Sequence, residues 1–243
     1  MKVLIIPDIH NKQDRAMEIA AREPEVNEVV CLGDYLDNFY DDWTHAYDMG
    51  RWMREILRGF PNWTLLVGNH DAHYIWPSNR TMCSGWTKEK AMAFWDGFQY
   101  RKLINHMRFF KTVGKFVLSH AGFHPSFADE YDKGHEDIIN DELLKSMREE
   151  RPRKLVTNVS RARGGSNLYP GLLWMDWDEL EPIPGMNQIV GHTPGKEIRY
   201  KSSIRAYSRG MDSHNWCLDT HLKHYVIIDT EKPTETAVEV KTI

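Results

Sequence analysis

Val3-Leu4-Ile5-Ile6-Pro7-Asp8-Ile9-His10 is the stretch on which the fold turns. Its unbroken apolar run reads as a strand buried on both faces, and the chain delivers an Asp and a His just past the strand end. Three further runs repeat the arrangement in order, each after an apolar segment: Gly33-Asp34-Tyr35-Leu36-Asp37, Gly68-Asn69-His70-Asp71 and Gly191-His192-Thr193. A strand-end Asp or glycine-flanked His taken singly is a turn or capping residue. Open α/β sheets place ligands at the C-terminal ends of their strands, so four such runs in order read as one site.

Outward from these runs, residues 11–22 show helical spacing at Ala16, Ile19 and Ala20. Residues 26–32 and 63–67 read as strands, and 43–58 as a helix with Tyr47, Trp52 and Ile56 on one face. The start of the chain is thus β-α-β-α-β with a motif at every strand end. Residues 72–101, rich in aromatics and Met, are expected to form a helical insertion near the site mouth, with a helix over 88–104. Residues 109–119 read as a hairpin turning at Gly114 and ending at His120, and 137–151 as a helix. Residues 153–169, with Arg161, Arg163 and Gly164-Gly165, form a basic, turn-rich loop. A strand at 187–190 precedes the fourth motif, and strands at 216–218, 225–228 and 237–240 are expected to close a largely antiparallel sheet.

At 243 residues, 41% hydrophobic and 27% charged, the chain has the composition of a globular protein, and one domain over 1–243 is expected. A net charge of -4 argues against broad binding to a polyanion, so nucleic acid enters only as a substrate. Cys31, Cys83 and Cys217 are scattered and odd in number, without C-x-x-C spacing, so neither a disulfide framework nor a structural zinc site is indicated, and a reducing cytoplasm fits. The apolar run at 3–6 is too short for a signal peptide, and no stretch reaches the roughly 20 apolar residues of a membrane span. A cytoplasmic protein without a membrane partner is expected; oligomeric state is not legible.

Asp, His and Asn suit Mn²⁺, Fe or Zn²⁺. Asp8 and His10 alternate on an extended segment and can face one cation. Asp34 can bridge to a second, to which Asn69, His120 and His192 would each add a ligand. Two cations about 4 Å apart can clamp an oxyanion and lower the pKa of a bridging water. His70, beside Asn69, can point into the cleft and protonate a leaving group, with Asp37 holding its tautomer and raising its pKa.

Together with His120-Ala121-Gly122 and Pro194, these runs resemble the signature of the calcineurin-like metallophosphoesterases over residues 8–194. Many phosphodiesterases of that superfamily carry a second His where Pro194 stands, so the pattern is more similar to the Ser/Thr phosphoprotein phosphatase and diadenosine tetraphosphatase branch. Leu172-Leu173-Trp174-Met175-Asp176 and Cys217-Leu218-Asp219-Thr220 add to that likeness. The resemblance implies an α/β (α+β) fold of four layers, a β-sandwich flanked by helices with its metal site at the strand C-terminal ends. It implies Asp8, His10 and Asp34 on one metal, Asp34, Asn69, His120 and His192 on the other, His70 as acid and Asp37 as its partner. The cofactors implied are two divalent ions, Mn²⁺ first, with Fe, Zn²⁺, Ni²⁺ or Mg²⁺ as alternatives.

The expected activity is hydrolysis of phosphate esters by a metal-bridging hydroxide, with a phosphoprotein or small phosphomonoester as substrate. A nucleotide or nucleic-acid phosphodiesterase is the alternative, and a non-catalytic metal-binding module a third. Asn38-Phe39 departs from the Arg-Gly of the branch, and an amide cannot supply a guanidinium's bidentate grip on phosphate. Arg161 and Arg163 are the expected substitutes, ahead of Arg80. His221, where the family prefers Gly, is a second departure. His45, His73, His106, His135, His214 and His224 have no motif support, although His73 lies near the third motif. Trp76, Trp86 and Trp95 read as core or lid packing in preference to a base-stacking surface.

Overall fold

The computed structural model describes residues 1–38, 40–203 and 212–243; Phe39 lies outside the described residues. In chain order the first half comprises β1 (Lys2–Ile6), α1 (Gln13–Arg22), β2 (Glu28–Cys31), α2 (Trp43–Gly59), β3 (Trp63–Leu65), α3 (Asn69–Ile75), α4 (Lys88–Phe98), β4 (Phe110–Val113) and β5 (Phe116–Ser119). The second half comprises α5 (Glu136–Arg148), α6 (Lys154–Thr157), β6 (Asn187–Val190), β7 (Arg199–Ser203), β8 (Ser213–Cys217), β9 (His224–Asp229), α7 (Thr234–Ala237) and β10 (Val238–Thr242).

The strands form two five-stranded sheets, ordered β10-β9-β1-β2-β3 and β4-β5-β6-β8-β7. β1, β2 and β3 run parallel, as do β5, β6 and β8, while β9 and β10 in the first sheet and β4 and β7 in the second pair antiparallel with their neighbours. Side-chain alternation along β1 explains the layering. Val3 and Ile5 pack with Phe116, Leu118 and Ile189 between the sheets. Leu4 and Ile6 pack outward with Ala16 and Ile19 of α1 and Met49, Met53 and Ile56 of α2. Each side of this strand is dry, which is why its sequence is uninterrupted by polar residues. The result is the expected mixed α/β sandwich flanked by helices.

Several elements differ from the sequence expectation. The helix expected over 88–104 ends at Phe98, because Gln99 adopts a left-handed φ of 61°; a 3₁₀ segment, Arg101–His106, follows. The loop at 153–169 contains α6 and a 3₁₀ turn at Arg161–Arg163. The late strands do not close one antiparallel sheet: β8 runs parallel to β6 in the second sheet, whereas β9 and β10 join the first beside β1. β7 was not expected; its half-exposed Arg-Tyr-Lys-Ser-Ser run carries no apolar alternation and sits at a sheet edge. Among the described residues no helix is long and apolar enough to cross a membrane.

Candidate metal centre

The motif side chains are aimed by the turns that end their strands. His10, Asp34, Asp37 and His192 have φ of 45, 50, 61 and 67°, a left-handed conformation that non-glycine residues hold only where the surroundings impose it. Here the surroundings are backbone and carboxylate partners. The Asp34 carbonyl accepts the N–H groups of Ile9 and His10 at 3.1 and 2.8 Å, locking the first turn onto the second. The buried Asp71 carboxylate accepts the N–H groups of Asp34, Tyr35 and Gly68, each at 2.8 Å, locking the second onto the third. Burial and the neighbouring Asp34 push the Asp71 pKa up to about 7. A Cβ at Gly191 would land on Asp8 Oδ1, so only glycine lets that carboxylate lie against the fourth turn.

Asp34 faces two ways. Its Oδ2 lies 3.8 Å from His10 Nε2 and its Oδ1 3.4 Å from His120 Nε2. Two potential ligand clusters share it, Asp8-His10-Asp34 and Asp34-His120-His192, the ligand atoms in each within 4.8 Å of one another. The first sheet supplies Asp8, His10, Asp34 and Asn69, and the second supplies His120 and His192 from the ends of β5 and β6.

The hydrogen-bond pattern fits cations in both clusters. His10 Nδ1 donates to the Leu36 carbonyl at 2.9 Å and His120 Nδ1 to that of Leu32 at 3.0 Å, since a carbonyl only accepts. In the neutral form of either ring, Nε2 then carries the lone pair. That of His120 faces the Oδ1 of Asn69 at 2.9 Å, the Oδ1 of Asp34 and the Nδ1 of His192 at 3.0 Å. A neutral His120 thus turns its lone pair toward two oxygens that only accept, a pattern that a cation resolves. Burial lowers the pKa of both His120 and His192, leaving neutral imidazoles ready to ligate. Burial, Asp219 and Asp34 hold the Asp8 pKa well above the usual carboxylate range. Burial alone would raise Asp34 too, but His120, His70 and His10 outweigh it and keep that carboxyl low.

His70 begins α3 beside Asn69, with its Nδ1 3.0 Å from Asp37 Oδ2. Burial opposes charge on the ring, yet Asp34 and Asp37 prevail and raise its pKa to about 11. The other Asp37 oxygen accepts Tyr74 Oη at 2.6 Å and Lys90 Nζ at 2.8 Å. Burial would raise the Asp37 pKa, but His70, Lys90 and Tyr74 hold it below the usual value. Sequence reasoning missed Asp71, Tyr74, Lys90 and Asp219 as members of this network. The signal for Lys90 was its place on the apolar face of α4 with Ala93, Phe94 and Gly97, where a lysine is buried only against carboxylates.

The two arginines separate. Arg163 Nη2 lies 2.9 Å from Thr193 Oγ1 and 2.9 Å from Asp176 Oδ2, placing its guanidinium beside the fourth motif, and its Nε is buried without a partner. Arg161, Arg80 and Asn38 are exposed. His124 caps a 3₁₀ turn by accepting the Ser126 N–H at its Nδ1. His73 bonds Thr81 and packs edge-on against Trp86, while Trp76 stacks on Phe109 and Trp95 donates to the Tyr74 carbonyl. His221 has a φ of 58°, a left-handed conformation that Gly adopts without strain, and its N–H bonds Asp219 Oδ1 at 3.1 Å.

Comparison with curated proteins finds no match to this sequence. Among solved structures, a cold-active protein-tyrosine phosphatase from Shewanella sp. superimposes with a TM-score of 0.55 at 13% identity, covering 94% of this chain and 75% of that one. A metallophosphoesterase from Sphaerobacter thermophilus gives 0.52 at 12% identity, covering 100% and 88%. A protein serine/threonine phosphatase from Saccharomyces cerevisiae gives 0.51 at 11% identity, covering 100% and 79%. These likenesses establish the fold. The family profile of calcineurin-like phosphoesterases matches residues 1–196, which takes in the strand-end motifs from Asp8 to His192. The chain therefore belongs to the calcineurin-like phosphoesterases and is a metal-dependent phosphoester hydrolase.

Proposed function

We propose that the protein is a dinuclear phosphomonoesterase acting on a phosphoprotein or a small phosphate ester. One observation carries the reading: a single carboxylate, Asp34, is shared by two ligand clusters, with the His70–Asp37 pair directly beside them. Asp8, His10 and Asp34 would hold one divalent cation, and Asp34, Asn69, His120 and His192 the other, with manganese the first choice. When bound, such a pair supplies Lewis acidity, activating water and neutralising charge on the phosphoryl oxygens.

The protein's own side chains do the rest. His70 Nε2 protonates the departing oxygen, while Asp37 accepts the Nδ1–H and keeps the ring charged and oriented. Lys90 and Tyr74 fix the Asp37 carboxylate through its second oxygen, so it cannot swing away from the imidazole. Arg163, tied to Thr193 next to His192, brings a cation to the edge of the site and is the residue that would meet a dianionic phosphoryl group. A diester substrate is the second reading, favoured by the neutral Asn38 after the second motif, because a monoanion needs less clamping.

Hydrolysis of para-nitrophenyl phosphate and of its bis-ester by Mn²⁺-loaded protein tests the proposal. The monoester should be cleaved faster, and a much faster diester rate would replace the first reading with the second. Asp34→Asn should abolish both activities. His70→Asn should cost about 10²–10⁴-fold on phenyl phosphate and far less on the para-nitrophenyl ester, whose leaving group needs little protonation. An equal loss on the two would remove His70 from the acid role.

A further inference from the structure

A third group of potential ligands lies outside the two clusters that share Asp34. Cys83 Sγ, from the stretch between α3 and α4, is 3.7 Å from Asp37 Oδ2, and that same oxygen is 3.0 Å from His70 Nδ1. All three atoms lie within 4.8 Å of one another. Zinc binds sulfur at about 2.3 Å and nitrogen or oxygen at about 2.0 Å, so tetrahedral geometry separates such ligand atoms by about 3.3–3.5 Å. The observed separations bracket that value. The Asp37 oxygen turned away from the group is already satisfied by Tyr74 and Lys90, the outer support that orients a ligating carboxylate. Lys90, which also pairs with Asp41 at 3.2 Å, sits on the Oδ1 side, so Oδ2 faces Cys83 and His70, whose protons a cation would displace. Cys83 is only half-buried, whereas Cys31 and Cys217 are fully buried, so this is the thiol a cation can reach from solvent.

We propose that Cys83, His70 and Asp37 form a third cation site, selective for a thiophilic metal such as zinc, whose filling silences hydrolysis. Zinc enters as the divalent ion with no change of oxidation state. It displaces the Nδ1 proton of His70 and the thiol proton of Cys83, both released to solvent, and leaves the fourth position to water. With metal in place of the Nδ1 proton, the ring is no longer an imidazolium and is a far weaker acid toward a leaving oxygen. The site itself needs only these three side chains; the silencing rests on the acid role proposed for His70. Manganese, which prefers oxygen and nitrogen ligands, fills the shared clusters without competing for the sulfur.

Cobalt(II) titration of Mn²⁺-loaded full-length protein tests this, because sulfur ligation gives a thiolate-to-cobalt charge-transfer absorption that the sulfur-free clusters cannot produce. Wild type should develop this band and Cys83→Ser should not. Absence of the band in wild type, or an equal band in Cys83→Ser, overturns the site. In the same preparations zinc should lower wild-type hydrolysis of phenyl phosphate by about 10²-fold or more, the least that loss of a general acid typically costs, and Cys83→Ser should resist it. Equal zinc inhibition of both proteins overturns the silencing. A wild type that never hydrolyses phosphate esters counts against the proposed function, while the cobalt band still decides the site.

Discussion

At the scale of single residues, the centre is a set of residues held at left-handed φ by backbone and carboxylate partners. Asp71 is the clearest such partner, since its carboxylate is the acceptor for three backbone N–H groups at the junction of two motif turns. Asp71→Ala should lower stability by about 3 kcal/mol or more, because each buried N–H left unpaired costs about 1–3 kcal/mol; the urea midpoint is the measurement. Lys90 acts more narrowly. Lys90→Met keeps the volume but removes the ammonium from Asp37, so kcat should fall roughly tenfold with KM unchanged, less than the 10²–10⁴-fold that loss of the acid itself typically costs. Lys90→Arg should recover part of that loss. A fall in stability without a change in kcat would make Lys90 a packing residue only.

At the scale of elements, α4 ties the segment between α3 and β4 to the site. Its N-cap is Thr87, whose hydroxyl accepts the N–H of Lys90 at 3.2 Å, so one side chain both starts the helix and seats the residue that holds Asp37. Thr87→Ala should cost about 1 kcal/mol of stability and lower kcat in the direction of Lys90→Met; thermal melts and steady-state kinetics on one preparation check both. The helix also meets α2 closely, since a Cβ at Gly97 would fall on the Tyr47 carbonyl. The position of α4 in space, and with it that of Lys90, is thus fixed by a partner helix remote in the chain.

At the scale of the molecule, the site is a seam between two sheets. Asp8, Asp34 and Asn69 come from one and His120 and His192 from the other, so cations held there cross-link the halves of the sandwich. A chelator should lower Tm and re-addition of Mn²⁺ restore it, with a gain of about 2.7 kcal/mol when the free metal is 100-fold above its Kd. The gain should depend on pH. Burial, Asp219 and Asp34 raise the Asp8 pKa above its unfolded value, so without metal the folded state binds the extra proton, and stability falls as pH rises through that interval. A cation replaces the proton and removes this penalty. The Tm gain from metal should therefore grow as pH rises through the raised Asp8 pKa, and a gain that shrinks with rising pH would contradict the assignment.

What the chain determined alone is what depends on near neighbours: the apolar run of β1, the β-α-β-α-β start, the hairpin turning at Gly114, and the Asp, Asn and His residues that follow the strands. Each is encoded within a few residues, because strand burial shows as an apolar run and left-handed turns show as Gly, Asp, Asn or His. Only the tertiary structure decided that β8 lies parallel to β6, that the helix from Lys88 stops at Phe98, and that β7 exists. It also decided that Asp71, Lys90, Tyr74 and Cys83 meet the motif residues, and that Arg163 rather than Arg161 stands beside Thr193. Those relations join positions far apart in sequence. Their energy comes from desolvated hydrogen bonds and charge pairs, which exist only once the two sheets and the α2–α4 pair have closed around them, so no local pattern of residues could announce them.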